Sequence, residues 1–145
     1  MLNVKTAFSI AIFPLFIAAC TTTDDGTTEN ASAAVQPLSF SFDWGDIPLC
    51  TTGNPNTVTN PTFRFRNMPD GVSRINFRMR DLDVPSYNHG GGRAAYSGGN
   101  VVAPGAFTYR SPCPPSGSHT YEWTATARDA SGQVVARGTS RRQYP

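Results

Sequence analysis

Apolar and polar residues alternate with a period of two in one stretch of this chain after another. Leu38, Phe40, Phe42 and Trp44 alternate with Ser39, Ser41 and Asp43. Phe63 and Phe65 are set among Thr62, Arg64 and Arg66, and Ile75, Phe77 and Met79 among Arg74, Asn76, Arg78 and Arg80. Phe107 and Tyr109 make a shorter piece. His119, Tyr121, Trp123, Ala125 and Ala127 then alternate with Thr120, Glu122, Thr124, Thr126 and Arg128, and Val134 with Ala136, or Val135 on the other face, ends the series. A strand projects successive side chains to opposite faces, so each run predicts a strand with one face buried. Turn signals separate the runs: Asn54-Pro55-Asn56, Asn60-Pro61, Pro69-Asp70-Gly71, Gly90-Gly91-Gly92 and Asp129-Ala130-Ser131-Gly132. The last predicts a hairpin. Gly90 to Gly92 reads as a flexible loop, Arg141 and Arg142 as a solvated chain end, and Tyr144 as a terminal residue of minor role. No segment keeps a helical period. The pattern predicts an all-β chain, an antiparallel β-sandwich with few or no helices beyond residue 34.

The N-terminal segment follows another rule. Lys5 precedes an apolar run, Thr6 to Ile17, that is broken by Pro14 and too short to cross a bilayer as a stable helix. It ends in Ile17-Ala18-Ala19-Cys20, which resembles the lipobox of bacterial lipoproteins. That resemblance implies cleavage after Ala19 and a diacylglyceryl group on Cys20, which becomes the mature N-terminus. Thr21 to Ala34 has no aromatic or large aliphatic residue and too little apolar surface to offset its ordering entropy, so it reads as a disordered tether. The expected organisation is a signal peptide over 1–19, a lipidated cysteine and tether over 20–34, and one domain over 35–145. The expected location is the bacterial cell envelope, lipid-anchored, at the outer membrane and facing the periplasm. The membrane is then a partner through the anchor.

Charge and cysteine use narrow the function. Lys5 is the only lysine, and residues 35–145 carry eleven arginines against seven acids, a net +4. That balance suits a small anion or a lipid headgroup. With no basic helix and no aromatic-basic interleaving beyond Arg64 to Arg66, nucleic acid is not an expected partner. Once Cys20 is acylated, Cys50 and Cys113 remain, and an oxidising compartment favours a bridge between them over two free thiols.

Residues able to build a site collect in Asp81 to Gly92 and in Ser111 to Trp123. The first stretch holds Asp81-Leu82-Asp83-Val84-Pro85 and then His89; the second holds Pro112-Cys113-Pro114-Pro115 and then His119-Thr120-Tyr121. These motifs resemble those of the phosphatidylethanolamine-binding protein family, in its bacterial Raf-kinase-inhibitor-like branch. Leu82 replaces a proline of the first motif, Ser111 a glycine of the loop, and Thr120 an arginine of the last. The resemblance spans roughly Phe40 to Arg128. It implies a two-sheet sandwich with a pocket for phosphate, acetate or a phospholipid headgroup. His89 and His119 would donate ring N–H groups to the anion beside Asp81, and Tyr121 would close one side. Asp83 and Pro85 would shape the turn, Asp83 as the acceptor of an Asx turn, and backbone N–H groups around Ser111 and Pro112 would add donors.

This reading is of a binding protein, with no cofactor, no metal and no catalysis, whose protein partner is unknown. Three other readings use the same residues. Ser111, His119 and Asp81 can be drawn as an esterase triad beside His89-Gly90-Gly91-Gly92, although Gly-x-Ser-x-Gly is missing. Asp81, Asp83, His89 and His119 can be drawn as metal ligands, although no metal-ligand spacing supports it. The last is a structural or inhibitory surface lipoprotein with a vestigial pocket.

Overall fold

The computed structural model describes residues 34–145. The signal segment, Cys20 and nearly all of the tether fall outside the described residues. Ten strands follow in order: β1 (Gln36–Pro37), β2 (Ser39–Asp43), β3 (Thr57–Thr59), β4 (Thr62–Arg66), β5 (Val72–Asp81), β6 (Gly91–Ala95), β7 (Val101–Val102), β8 (Thr108–Arg110), β9 (His119–Asp129) and β10 (Val134–Tyr144). The described residues contain no helix. A five-stranded sheet has the order β1-β10-β9-β5-β6, a three-stranded sheet the order β2-β4-β7, and β3 pairs with β8. All pairings are antiparallel except the short one between β1 and β10.

The alternation predicted from the sequence is what joins the layers. Phe40, Phe42, Phe63 and Phe65 line one inner face, and Ile75, Phe77, Met79, Tyr121, Trp123, Ala125 and Ala127 line the other. Phe63 stacks on Phe77 at 4.2 Å between ring centres and meets Trp123 edge-on at 5.2 Å. Each such aromatic pair adds about 0.5–1.5 kcal/mol beyond the area it buries. The Asp129-Ala130-Ser131-Gly132 turn makes the expected hairpin: Asp129 Oδ1 accepts Gln133 N–H at 2.9 Å and the Ser131 hydroxyl at 2.7 Å.

Three local expectations fail, in whole or in part, for identifiable reasons. Gly90-Gly91-Gly92 is not a flexible loop, because Gly91 opens edge strand β6, paired to β5. A Cβ on Gly91 would lie 2.1 Å from the Phe77 carbonyl oxygen, and one on Gly92 would lie 2.3 Å from the Phe107 side chain. Gly91 lets β6 run close against the β5 main chain, and Gly92 lets it pass under the Phe107 ring. Arg141 and Arg142 are solvated, as expected, but are not a chain end without contacts, because β10 continues to Tyr144 along β9. Their charges are paired, Arg141 with Glu122 at 2.7 Å and Arg142 with Asp43 at 3.0 Å. Tyr144 is buried, and its hydroxyl accepts Cys50 N–H at 3.1 Å. The expected disulfide is present: Cys50 and Cys113, 63 positions apart, are bonded.

Candidate functional site

The five-stranded sheet ends where β5 and β9 deliver Asp81 and His119 to the same rim. Asp81 is the last residue of β5 and has the core-facing parity of Met79, so its carboxylate is 4% exposed. A buried carboxylate needs donors, and local sequence provides them. Oδ1 accepts the N–H groups of Asp83 at 2.9 Å and Val84 at 3.1 Å, while Oδ2 accepts His119 Nδ1–H at 2.7 Å. Burial works to raise the Asp81 carboxyl, but His119 and these two N–H groups outweigh it and hold it below its ordinary value.

The Asx turn therefore belongs to Asp81, not to Asp83 as the sequence suggested. Asp83 reaches across to β9, where its Oδ2 accepts Thr120 N–H at 2.7 Å. Leu82 N–H donates to the Thr120 carbonyl at 2.9 Å, so the turn is fastened to β9 from both sides. Pro85 occupies the second position of a turn closed by Tyr87 N–H to the Val84 carbonyl at 3.1 Å, where its fixed φ is favourable.

His89 is 2% exposed, and its main chain and side chain both bond one residue of β8. Nδ1 lies 3.0 Å from the Arg110 carbonyl, which can only accept, and Arg110 N–H donates back to the His89 carbonyl at 2.9 Å. Burial lowers the His89 pKa; the Arg110 carbonyl, Asp81 and the Ser111 main chain oppose it without prevailing. Burial thus favours the neutral ring, and the carbonyl opposite Nδ1 favours the tautomer with its proton there and a lone pair on Nε2. In the arrangement expected from the sequence both histidines donate ring N–H groups to an anion, which at His89 Nε2 takes a second proton on the ring.

Tyr121 joins the two histidines. His89 meets it edge-on at 5.4 Å between ring centres, and His119 lies 6.3 Å away on its own strand. Its hydroxyl accepts Cys113 N–H at 3.3 Å. Burial, and then the charge of Asp81, push its phenol well above the usual range, so it stays protonated. Asp81, His119, Tyr121 and His89 thus form one contiguous cluster. The cleft beside it has a volume of about 160 Å³ and is lined by Gly53, Pro55, Val84, Tyr87, His89, Cys113 and Pro115. Of the four clustered residues, His89 is the one in that lining.

The proline-cysteine loop does not supply donors. Ser111 and Pro112 are fully buried. Ser111 N–H donates to the Asn56 carbonyl at 2.8 Å, its hydroxyl accepts Asn56 N–H at 3.1 Å, and Cys113 N–H is taken by Tyr121. The prolines have no N–H to give. The loop is a wall, and the buried, engaged Ser111 hydroxyl is no exposed nucleophile. The metal reading loses His89: Asp81, Asp83 and His119 offer atoms within 4.8 Å of one another, and His119 Nδ1 is hydrogen-bonded to Asp81.

Tyr87 was not singled out in the sequence, yet its ring lies 4.6 Å from that of His89 and it lines the cleft. Its place in the Asp81-to-Gly92 stretch is the signal that pointed there. The Arg110 carbonyl, being main chain, leaves no trace in the residue types.

No family model and no curated protein sequence matches the chain. Among solved structures, it is similar to a phosphatidylethanolamine-binding protein homologue from Chlamydia trachomatis, with a TM-score of 0.50 and 15% sequence identity. The match covers 77% of this chain and 97% of that one. The chain has the fold of that homologue, an all-β sandwich, as the motif resemblance implied.

Proposed function

We propose that the protein binds a small anionic group, a phosphate or the phosphate of a phospholipid headgroup, in the cleft beside His89. It acts as a binding protein and not as an enzyme, from the bacterial envelope, held by a lipid on Cys20. The observation that carries this reading is His89 itself: a buried, neutral imidazole in the wall of a small cleft, with Nδ1 spent on a carbonyl and Nε2 left for a ligand. The Asp81–His119 pair and Tyr121 hold the rim rigid behind it.

A lone pair on Nε2 repels an anion, so binding requires His89 to take up a proton. The bound anion raises a pKa that burial had lowered. Affinity therefore rises as pH falls through the bound-state pKa, and levels off below the free-state pKa, which lies under 6.5. Calorimetry with inorganic phosphate and O-phosphoethanolamine between pH 5 and pH 8 tests this, repeated in buffers of different ionisation enthalpy to count the proton. His89→Ala should weaken binding near pH 5.5 by about tenfold or more, the loss of one charge-assisted hydrogen bond of ~1.5–3 kcal/mol. Equal affinity of wild type and His89→Ala for both probes would end the proposal. Tighter binding of O-phosphoethanolamine than of phosphate would identify the headgroup as the source.

A further inference from the structure

The outward face of the five-stranded sheet is a second surface built from side chains of four strands. Strand register sets its rows. Arg93, Asn76, Thr126 and Arg137 lie side by side across β6, β5, β9 and β10. Arg78, Thr124 and Thr139 form the next row, and Arg80, Glu122 and Arg141 the one beyond it. Arg74 and Arg128 pair at the opposite end. Rows of this kind repeat about 5 Å apart across strands and about 7 Å along them.

Seven arginines thus share this face with one acid, Glu122, which Arg141 neutralises at 2.7 Å. Arg78, Arg80 and Arg93 have no hydrogen-bond or ion-pair partner among the described residues. Arg137 donates through Nε to the Thr126 hydroxyl at 3.2 Å and Arg128 to the Gly132 carbonyl at 2.7 Å, so both keep their full charge against neutral partners. Three of these cations, Arg78, Arg128 and Arg137, edge a groove of about 470 Å³ floored by Asn76, Thr124 and Thr126. In that floor, Asn76 Oδ1 is buried without a donor.

We infer that this face binds an acidic polysaccharide along the groove. The arginines supply charge for its anionic groups, in a fork geometry that suits carboxylate, sulfate and phosphate alike. The floor asks for something else. Asn76 Oδ1 needs a donor, and threonine hydroxyls both donate and accept. A sugar ring brings hydroxyls to such a floor; a bare phosphate surface does not.

Other occupants fit less well. Of the exposed large apolar residues, Tyr87 reaches this face, beside Arg78, Arg80, Glu122 and Thr124, where its ring can lie against the apolar side of a sugar. With that single ring it has no cluster of apolar side chains to insert into a bilayer and no series of rings on which successive bases stack. A second copy docking by a two-fold axis would set arginines against arginines.

The test uses the full-length protein and immobilised polygalacturonate, with neutral dextran, equimolar phosphatidylglycerol–phosphatidylcholine vesicles and a DNA duplex as comparisons. Polygalacturonate should bind, weakening steeply as salt is raised, and dextran should not. Arg78→Gln/Arg137→Gln should lower that affinity roughly tenfold or more while leaving phosphate binding at the His89 cleft unchanged. The single variant Arg78→Gln replaces an exposed residue without a partner, and should show part of the same loss if the double variant folds poorly. Asn76→Ala should weaken polygalacturonate more than inorganic polyphosphate, which has charge and no hydroxyl. The inference is overturned if vesicles or duplex bind more tightly than polygalacturonate, if dextran binds equally, or if Arg78→Gln changes nothing.

Discussion

Asp81 shows how much one residue settles at the rim. It accepts two main-chain N–H groups and one imidazole N–H, and so defines the turn, the end of β5 and the start of β9 together. Its pKa is lowered on folding, so it contributes stability that is present above the unfolded value of 3.8 and lost as pH falls through the folded value. In Asp81→Asn the side-chain oxygen can still take the turn N–H groups, but the amide N–H₂ faces His119 Nδ1–H, donor against donor. The expected cost at pH 7 is ~1.5–3 kcal/mol. Urea unfolding of both proteins at pH 7 and near pH 2 should show the gap narrowing in acid, where the wild-type carboxyl is protonated. A gap of the same size at both values would mean that the carboxylate charge is not what stabilises the rim. The pairing of Asp81 with His119 was legible in the sequence as a motif resemblance. The protonation of His89 was not, because it depends on a carbonyl and on burial, neither of which residue types record.

Among the elements, the long central strands were legible and the short or glycine-rich ones were not. β2, β4, β5 and β9 alternate because each has one face on the shared core. β6 lacks that pattern because its inward residue Gly92 must leave room for Phe107. The distal half of β10 hides because its inward positions beyond Ala136 are Gly138, Ser140 and Arg142, not apolar residues. Its end still matters. Tyr144 binds Cys50 N–H, and Cys50 is bonded to Cys113 in the cleft wall, so the tail of β10, the segment after β2 and the loop before β9 meet at one disulfide. Cys50→Ser/Cys113→Ser should therefore lose ~2–4 kcal/mol of stability, the usual range for releasing a long loop. It should also lose phosphate affinity at temperatures where it is still folded, because Gly53, Pro55, Cys113 and Pro115 all line the cleft. Guanidinium unfolding and calorimetry separate the two effects. Unchanged affinity in a folded double variant would show that the bridge stabilises the domain without shaping the cleft.

At the scale of the whole molecule, the sandwich separates its two candidate surfaces: a rim cleft, where strand ends converge, and a basic outer face, where strand middles align. The rim was legible because its residues sit in two short stretches of sequence. The outer face was not, since its arginines come from β5, β6, β9 and β10, and strand order, not spacing along the chain, sets them in rows. Net charge hinted at an anion without saying where. Location in the envelope is an expectation of the N-terminal pattern, and that pattern makes it testable. If Ile17-Ala18-Ala19-Cys20 is processed as a lipobox, the mature chain starts at Cys20, and its mass exceeds that of the peptide by a diacylglyceryl group and any N-acyl chain. Each acyl chain adds ~0.8 kcal/mol of membrane affinity per buried methylene, so two or three chains hold the protein in the membrane fraction through high-salt washing. Attraction between the arginine face and anionic lipid, by contrast, would be released by salt. In a Gram-negative host, palmitate labelling should follow Cys20 and vanish in Cys20→Ser, and the unlabelled variant should leave the membrane fraction. Labelling that persists in Cys20→Ser would overturn lipidation at Cys20, and a wild type recovered as soluble periplasmic protein would show that the N-terminal segment is an ordinary signal peptide cut near Ala19.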